Sequence, residues 1–228
     1  MKKLLIVYIL CIYSCVDKTL ELPVSSNNDI TTIVDVSPIY VFYNDHKKSA
    51  VLNRNNMISS TNWLVNIDKR LKLKQLFPHL KFLQEKRHST GMHSNKNAKN
   101  YFTCFNEQTN NLSFIEFAKT ICHQPIHAND ISNKIILNKF DKVILATIFS
   151  KDSVNISHLS DKDGISSNVI LNQLAESITT GVAENEKIKL YTSYNQNLSF
   201  QDYINVRSEL LTWTNGNVEL AFEEFINN

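Results

Sequence analysis

Two kinds of hydrophobic pattern run along the chain. Short runs rich in β-branched and aromatic residues predict strands. The first is Ile39-Tyr40-Val41-Phe42-Tyr43, followed by the polar break Asn44 to Lys48 and by Ala50-Val51-Leu52, a hairpin by pattern. Trp63-Leu64-Val65 predicts another strand, and Tyr101-Phe102-Thr103-Cys104-Phe105-Asn106 an aromatic one. Leu73, Leu76, Phe77, Leu80 and Leu83 recur at helical spacing and predict a helix with one apolar face. Pro78 lies inside it and either kinks it or marks its true first turn.

The second half carries its own set. Val143 to Phe149 and Val154 to Ile156 predict a strand pair around the turn Ser150-Lys151-Asp152-Ser153. A helix follows, with Ser166 or Ser167 as its cap, Leu171, Leu174 and Ile178 inward, and Gly181 at its end. After the strand Ile188-Lys189-Leu190-Tyr191, a second helix places Tyr203, Val206, Leu210 and Trp213 on one face and stops at Gly216. Val218, Leu220 and Phe222 then alternate with Glu219, Ala221 and Glu223, a half-buried strand.

The tetrapeptide Asn-Leu-Ser-Phe occurs twice, at 111–114 and 197–200, each time behind an aromatic strand ending in Asn. In both copies the serine stands three residues before an acid. Ser113 with Glu116, and Ser199 with Asp202, are therefore expected to cap helices: the hydroxyl accepts a free backbone N–H and the carboxylate favours the positive helix end. Together these signals predict an α+β chain of two tandem small mixed-sheet units. Each is a hairpin plus further strands with two helices packed on one face, and the pair is the product of an internal duplication. The units are placed at 36–130 and 131–228.

The start of the chain has a different character. Met1-Lys2-Lys3 precedes an uninterrupted apolar stretch from Leu4 to Tyr13, then Ser14 and Cys15. That is too short for a membrane span, which needs roughly 20 residues, and it has the layout of a secretory signal. Ile12-Tyr13-Ser14-Cys15 resembles a bacterial lipobox, in which cleavage precedes a diacylated cysteine. The resemblance implies a signal peptide at 1–14 and a palmitate-bearing lipoprotein anchored through Cys15. It also implies a place in the cell envelope, at the outer membrane facing the periplasm. Residues 15–35, with Pro23 and Ser25-Ser26-Asn27-Asn28, read as a flexible tether between lipid and folded body.

Losing Lys2 and Lys3 with the signal reduces the formal charge of +2 to zero, which gives no support to nucleic-acid binding. Four glycines argue against glycine-rich phosphate loops. Between 68 and 99 the basic residues Lys69, Arg70, Lys72, Lys74, Lys81, Lys86, Arg87, Lys96 and Lys99 outnumber Asp68 and Glu85, a surplus suited to anionic lipid heads or to a solvated helix face. An oxidising compartment permits Cys104 and Cys122 to pair; two small buried side chains are the alternative. Cys122, His123 and His127 offer sulfur and nitrogen donors at short spacing and are weak metal candidates without a fourth ligand. No nucleophile elbow or zinc-protease helix motif occurs, so neither a catalytic residue nor a cofactor is expected.

Asp163-Gly164, the helix through Leu171 and Leu174, the strand 188–191, the stretch Leu198-Ser199-Phe200-Gln201-Asp202-Tyr203-Ile204-Asn205-Val206 and the closing strand resemble, in that order, the periplasmic domain of the ExbD/TolR biopolymer-transport family. The resemblance covers roughly residues 140 to 228. It implies a small mixed sheet with two helices on one face, and a part in proton-driven envelope complexes whose periplasmic domains contact partner proteins or peptidoglycan. The family's proton-carrying aspartate sits in a transmembrane helix. The apolar stretch Leu4 to Tyr13 contains no acid, so no motor residue carries over. The expected role is a non-catalytic binding or scaffold module; the alternative is a lipid-anchored glycan or peptide hydrolase with an unrecognised site. Replacing Cys15 by Ala should leave an uncleaved, larger precursor and abolish labelling by a palmitate analogue; unchanged maturation on gels would refute the lipoprotein reading.

Overall fold

The computed structural model describes residues 19–27, 29–88, 95, 97–123, 128–131, 135, 140–159, 166–180, 186–213 and 217–228. The signal, Cys15, Gly181, Gly216 and His127 lie outside them. The strands are β1 (Val36–Asn44), β2 (Ser49–Asn53), β3 (Asn62–Ile67), β4 (Asn100–Asn106), β5 (Asn111–Glu116), β6 (Ile121–Cys122), β7 (Lys142–Ser150), β8 (Ser153–His158), β9 (Ser166–Val169), β10 (Ile188–Asn195) and β11 (Val218–Asn227). The helices are α1 (Leu73–His88), α2 (Ala128–Ile131), α3 (Leu174–Thr179) and α4 (Phe200–Trp213). They form two mixed sheets, ordered β2-β1-β3-β4-β5 and β6-β11-β10-β7-β8-β9, in an α+β fold. No helix among the described residues is long and apolar enough to cross a membrane.

The period of two in the strands decides which residues form the core. β1 turns Ser37, Ile39 and Val41 inward, and its parallel register with β3 sets them against Trp63, Val65 and Ile67, which are fully buried. β7 is apolar almost throughout because it is covered on both faces. Ile144, Ala146 and Ile148 join the main core, while Val143 and Leu145 meet Tyr191, Phe225 and Ile131 in a smaller cluster. The main core runs without a break through α1, α4 and the inner faces of both sheets. Pro78 is exposed on α1, which continues through it to His88.

The two halves repeat one topology. A hairpin (β1-β2, β7-β8) is joined on its first strand's far side by a parallel strand (β3, β10). That strand leads through a helix (α1, α4) to a further parallel strand (β4, β11). The halves meet at their β–α turns. The Leu73 N–H donates to the Leu198 carbonyl at 2.9 Å and the Phe200 N–H to Leu71 at 2.7 Å. The Lys74 N–H donates to Gln196 at 2.9 Å and the Gln201 N–H to Lys69 at 3.2 Å. Every pair is the other's counterpart at one constant offset, with Lys72 facing Ser199 at the centre of a pseudo-twofold axis. The turns match in detail: the Arg70 N–H bonds to Asp68 Oδ1 at 3.0 Å, and the Asn197 N–H to Asn195 Oδ1 at 2.9 Å. Burial opposes the Asp68 charge, but hydrogen bonds from Arg70 outweigh it and hold the carboxyl below its usual range. Its contribution to stability is full above the ordinary carboxylate value and is lost as pH falls below it.

This repeat differs from the one expected. Ser113 does not correspond to Ser199: 111–116 is strand β5, and the strand matching β10 is β3, not β4. A four-residue turn with Asn110 at φ 53° folds β5 back on β4, and Asn106 Oδ1 holds the turn through the Thr109 N–H at 3.0 Å. Ser166 and Ser167 likewise belong to β9; the helix after them begins at Leu174 behind a short 3₁₀ turn with no side-chain cap. The boundary near 130 also shifts, because β6 pairs with β11 of the second unit's sheet.

The described residues of the expected tether, 19–27 and 29–35, do not hang free. The Lys69 N–H donates to the Glu21 carbonyl at 2.8 Å, and Pro23 and Ser25 bracket Phe105 through backbone bonds of 2.8 and 3.0 Å. Val24 exchanges two bonds with the Gln201 side chain, at 2.8 and 2.9 Å. The strap therefore lies across the seam between the units. A main core shared by both units and a seam that joins them predict one unfolding event: urea titrations followed by tryptophan fluorescence and by far-UV circular dichroism should coincide. Leu71→Ala should cost about 2–5 kcal/mol without splitting the transition.

A candidate groove beside the last strand

The buried ionisable groups gather where α4 crosses β11. Tyr203 and Arg207 stand one turn apart on the inward face of α4, and Glu224 projects from β11 beneath them. The Tyr203 hydroxyl donates to Glu224 Oε2 at 2.7 Å, and Arg207 Nη1 donates to Glu224 Oε1 and to the Tyr203 oxygen. Arg207 Nη2 reaches across to the first unit, donating to Thr120 Oγ1 at 2.8 Å and to the Glu116 carbonyl at 3.2 Å. Burial opposes the Arg207 charge, but the facing Tyr203 and Glu224 hold its pKa above the ordinary value. Burial, joined by Glu224, pushes the Tyr203 phenol well above its usual range despite Arg207. Glu224 also adds to the burial that raises the Cys122 thiol.

In the first unit the corresponding positions are Leu76, Leu80 and Phe102, all within the main core. An apolar trio has been exchanged for a charged one. A buried pair of this kind roughly breaks even against apolar packing, so stability alone does not account for it. What it adds is a tie: the 116–120 loop is held to α4, and the two together wall a groove.

That groove, of about 650 Å³, runs between the loop Glu116–Thr120, Arg207 and Leu211 of α4, and the stretch Val218–Phe222 of β11. Two of its cations face acids, Lys99 with Glu116 at 2.7 Å and Arg207 with Glu224, and its acid Glu219 is paired with Lys189. Lys119 is exposed, has no carboxylate partner among the described residues, and lies 5.6 Å from the Phe222 ring. Between Leu220 and Glu224 β11 slips its register on β10, which turns Phe222 out to the rim, half exposed.

The residues singled out in the sequence lie apart from this groove or border it. Ser199 caps α4: its Oγ accepts the Asp202 N–H at 3.1 Å and donates to the Asp202 carboxylate at 2.6 Å. Ser113 is buried in β5 with its hydroxyl unbonded, and Glu116 ends the same strand, so neither caps a helix. Cys104 and Cys122 are free thiols. They sit on strands of different sheets, and burial pushes Cys104 up to about 12. His123 stacks on Phe225 at 4.9 Å, and no cluster of three or more His, Cys, Asp or Glu able to hold a metal occurs among the described residues. Much of the basic surplus is engaged: Lys69 and Arg70 with Glu21, Arg70 with Asp68, Lys81 with Glu85, and Arg87 lies over Trp63 at 3.7 Å. Arg207 and Glu224 were not foreseen; a cation on the apolar face of a helix, four residues after Tyr203, is the signal that points to them.

No known protein family, curated protein or solved structure matches the chain. Glu224→Ala should destabilise the fold by about 3–5 kcal/mol in urea denaturation, because it strands the Arg207 charge. The double variant Arg207→Leu/Glu224→Phe, which copies the first unit, should recover most of that loss.

Proposed function

We propose that this chain is a non-catalytic binding module of the bacterial cell envelope, anchored by lipid at Cys15 at the outer membrane facing the periplasm. It serves as an accessory to a transport or envelope complex of the ExbD/TolR type, and its partner is an envelope protein. One observation carries the binding part of this reading: the outer edge of β11 from Val218 to Phe222 pairs with no strand among the described residues and forms one wall of the groove. A sheet edge left open beside a cleft is a ready partner surface, since its backbone groups can be satisfied by another chain. The fixed ion pair beneath it keeps that wall rigid, and rigidity lowers the entropic cost of binding.

The anchoring part rests on the lipobox-like Ile12-Tyr13-Ser14-Cys15 and on the strap that follows it onto the body. The link to transport or envelope complexes rests on the order of elements shared with the ExbD/TolR periplasmic domain in the second half. Cross-linking in native envelopes followed by capture of the tagged chain should recover a transport or envelope-complex component in repeated experiments. Recovery of none, with the chain correctly localised, would remove the reading.

A further inference from the structure

The internal repeat indicates what belongs in the groove. In the first unit, β4 carries β5 along its outer edge, antiparallel, from Tyr101 opposite Glu116 to Asn106 opposite Asn111. The pairing runs on to the Phe117 N–H, which donates to the Asn100 carbonyl at 2.9 Å. β11 stands in the place of β4, yet among the described residues its outer edge meets only the short β6, at Glu223 and Glu224. The stretch Val218–Phe222, about 16 Å of strand, borders the groove instead. In a parallel pair, alternate residues turn their backbone groups to opposite neighbours. The Ile188 N–H donates to the Asn217 carbonyl, so 217 and 219 face β10 while Val218 and Leu220 turn their N–H and C=O groups to the groove.

We infer that this groove takes an extended acidic peptide segment of the partner, added antiparallel to β11 as β5 is added to β4. The inference rests on the binding-module reading and deepens it. The backbone of Val218 and Leu220 supplies the ladder bonds. The charge of the site selects acids. Its cations Lys99 and Arg207 are balanced by acids, its acid Glu219 is paired with Lys189, and among the described residues Lys119 has no carboxylate partner and Arg207, only 6% exposed, has an unpartnered Nε–H. Phe222 and Ile121, 50% and 49% exposed at the rim and the β6 end, offer apolar contact to the residues between the acids. The segment this favours alternates aliphatic and acidic residues, because successive strand side chains face opposite ways.

The test uses the full chain in detergent micelles and a fluorescein-labelled Val-Glu-Val-Glu-Val-Glu peptide. Comparators are the Val-Lys counterpart and a version with proline at alternate positions. Anisotropy should show saturable binding of the Val-Glu peptide, at least about tenfold weaker binding of the Val-Lys peptide, and none of the proline version. Amide shifts in isotope-edited spectra should centre on Val218–Phe222. Lys119→Glu, on an exposed side chain, should weaken Val-Glu binding about fivefold or more while leaving the urea midpoint unchanged. Equal affinity for the two charged peptides, shifts centred elsewhere, or no binding at millimolar peptide would overturn the inference. Peptide binding at this edge with no envelope partner captured would refute the envelope role and uphold the edge site. Partner capture undiminished by Lys119→Glu, together with absent peptide binding, would do the reverse.

Discussion

Four backbone hydrogen bonds between the two β–α turns join the halves of the molecule at its centre. The first N–H groups of a helix have no partner inside it. Here those of α1 are satisfied by carbonyls of the turn before α4, and those of α4 by carbonyls of the turn before α1. Each half thus completes the other's helix, and an isolated half would bare these donors next to the buried Leu71 and Leu198. The positive ends of two helix dipoles also meet at this seam, and the Asp68 and Asp202 carboxylates lie beside them.

The same symmetry exposes where the second half departs from the first. Leu76, Leu80 and Phe102 pack as hydrocarbons, while Tyr203, Arg207 and Glu224 pack as a hydrogen-bonded charge pair. Both sets fill equivalent space, but only the second has directional groups left to reach Thr120 and Glu116 in the other half. The departure coincides with the stretch Val218–Phe222, whose outer edge pairs with no strand among the described residues, so the altered packing and that edge form one local specialisation.

Strand and helix positions were legible where periodicity was strong, as in β1, β3, β7, α1 and α4. The core residues Trp63, Leu76, Ile148 and Leu210 follow from the same signal. The Asn-Leu-Ser-Phe tetrapeptide shows where legibility ends. At 197–200 it enters a helix whose first donors are taken up by the first unit; at 111–114 it follows Asn110 in the left-handed region and lies down beside β4. Identical residues took opposite structures because the deciding contacts lie outside the tetrapeptide, in a distant turn for one copy and in the adjoining hairpin for the other. The groove escaped for a related reason. Simple alternation places Phe222 inside, and only the register slip against β10, a pairing property, turns it outward.

The strap has a consequence for reach. Glu21 is already fixed to the folded body, through its carbonyl to Lys69 and its carboxylate to Lys69 and Arg70. Cys15 is six residues from Glu21, a length of chain that can span at most about 20 Å. Were the lipid attached there, the folded body would ride close to the bilayer and sample only a thin shell of solution above it, so that a partner would have to come to the membrane to meet it.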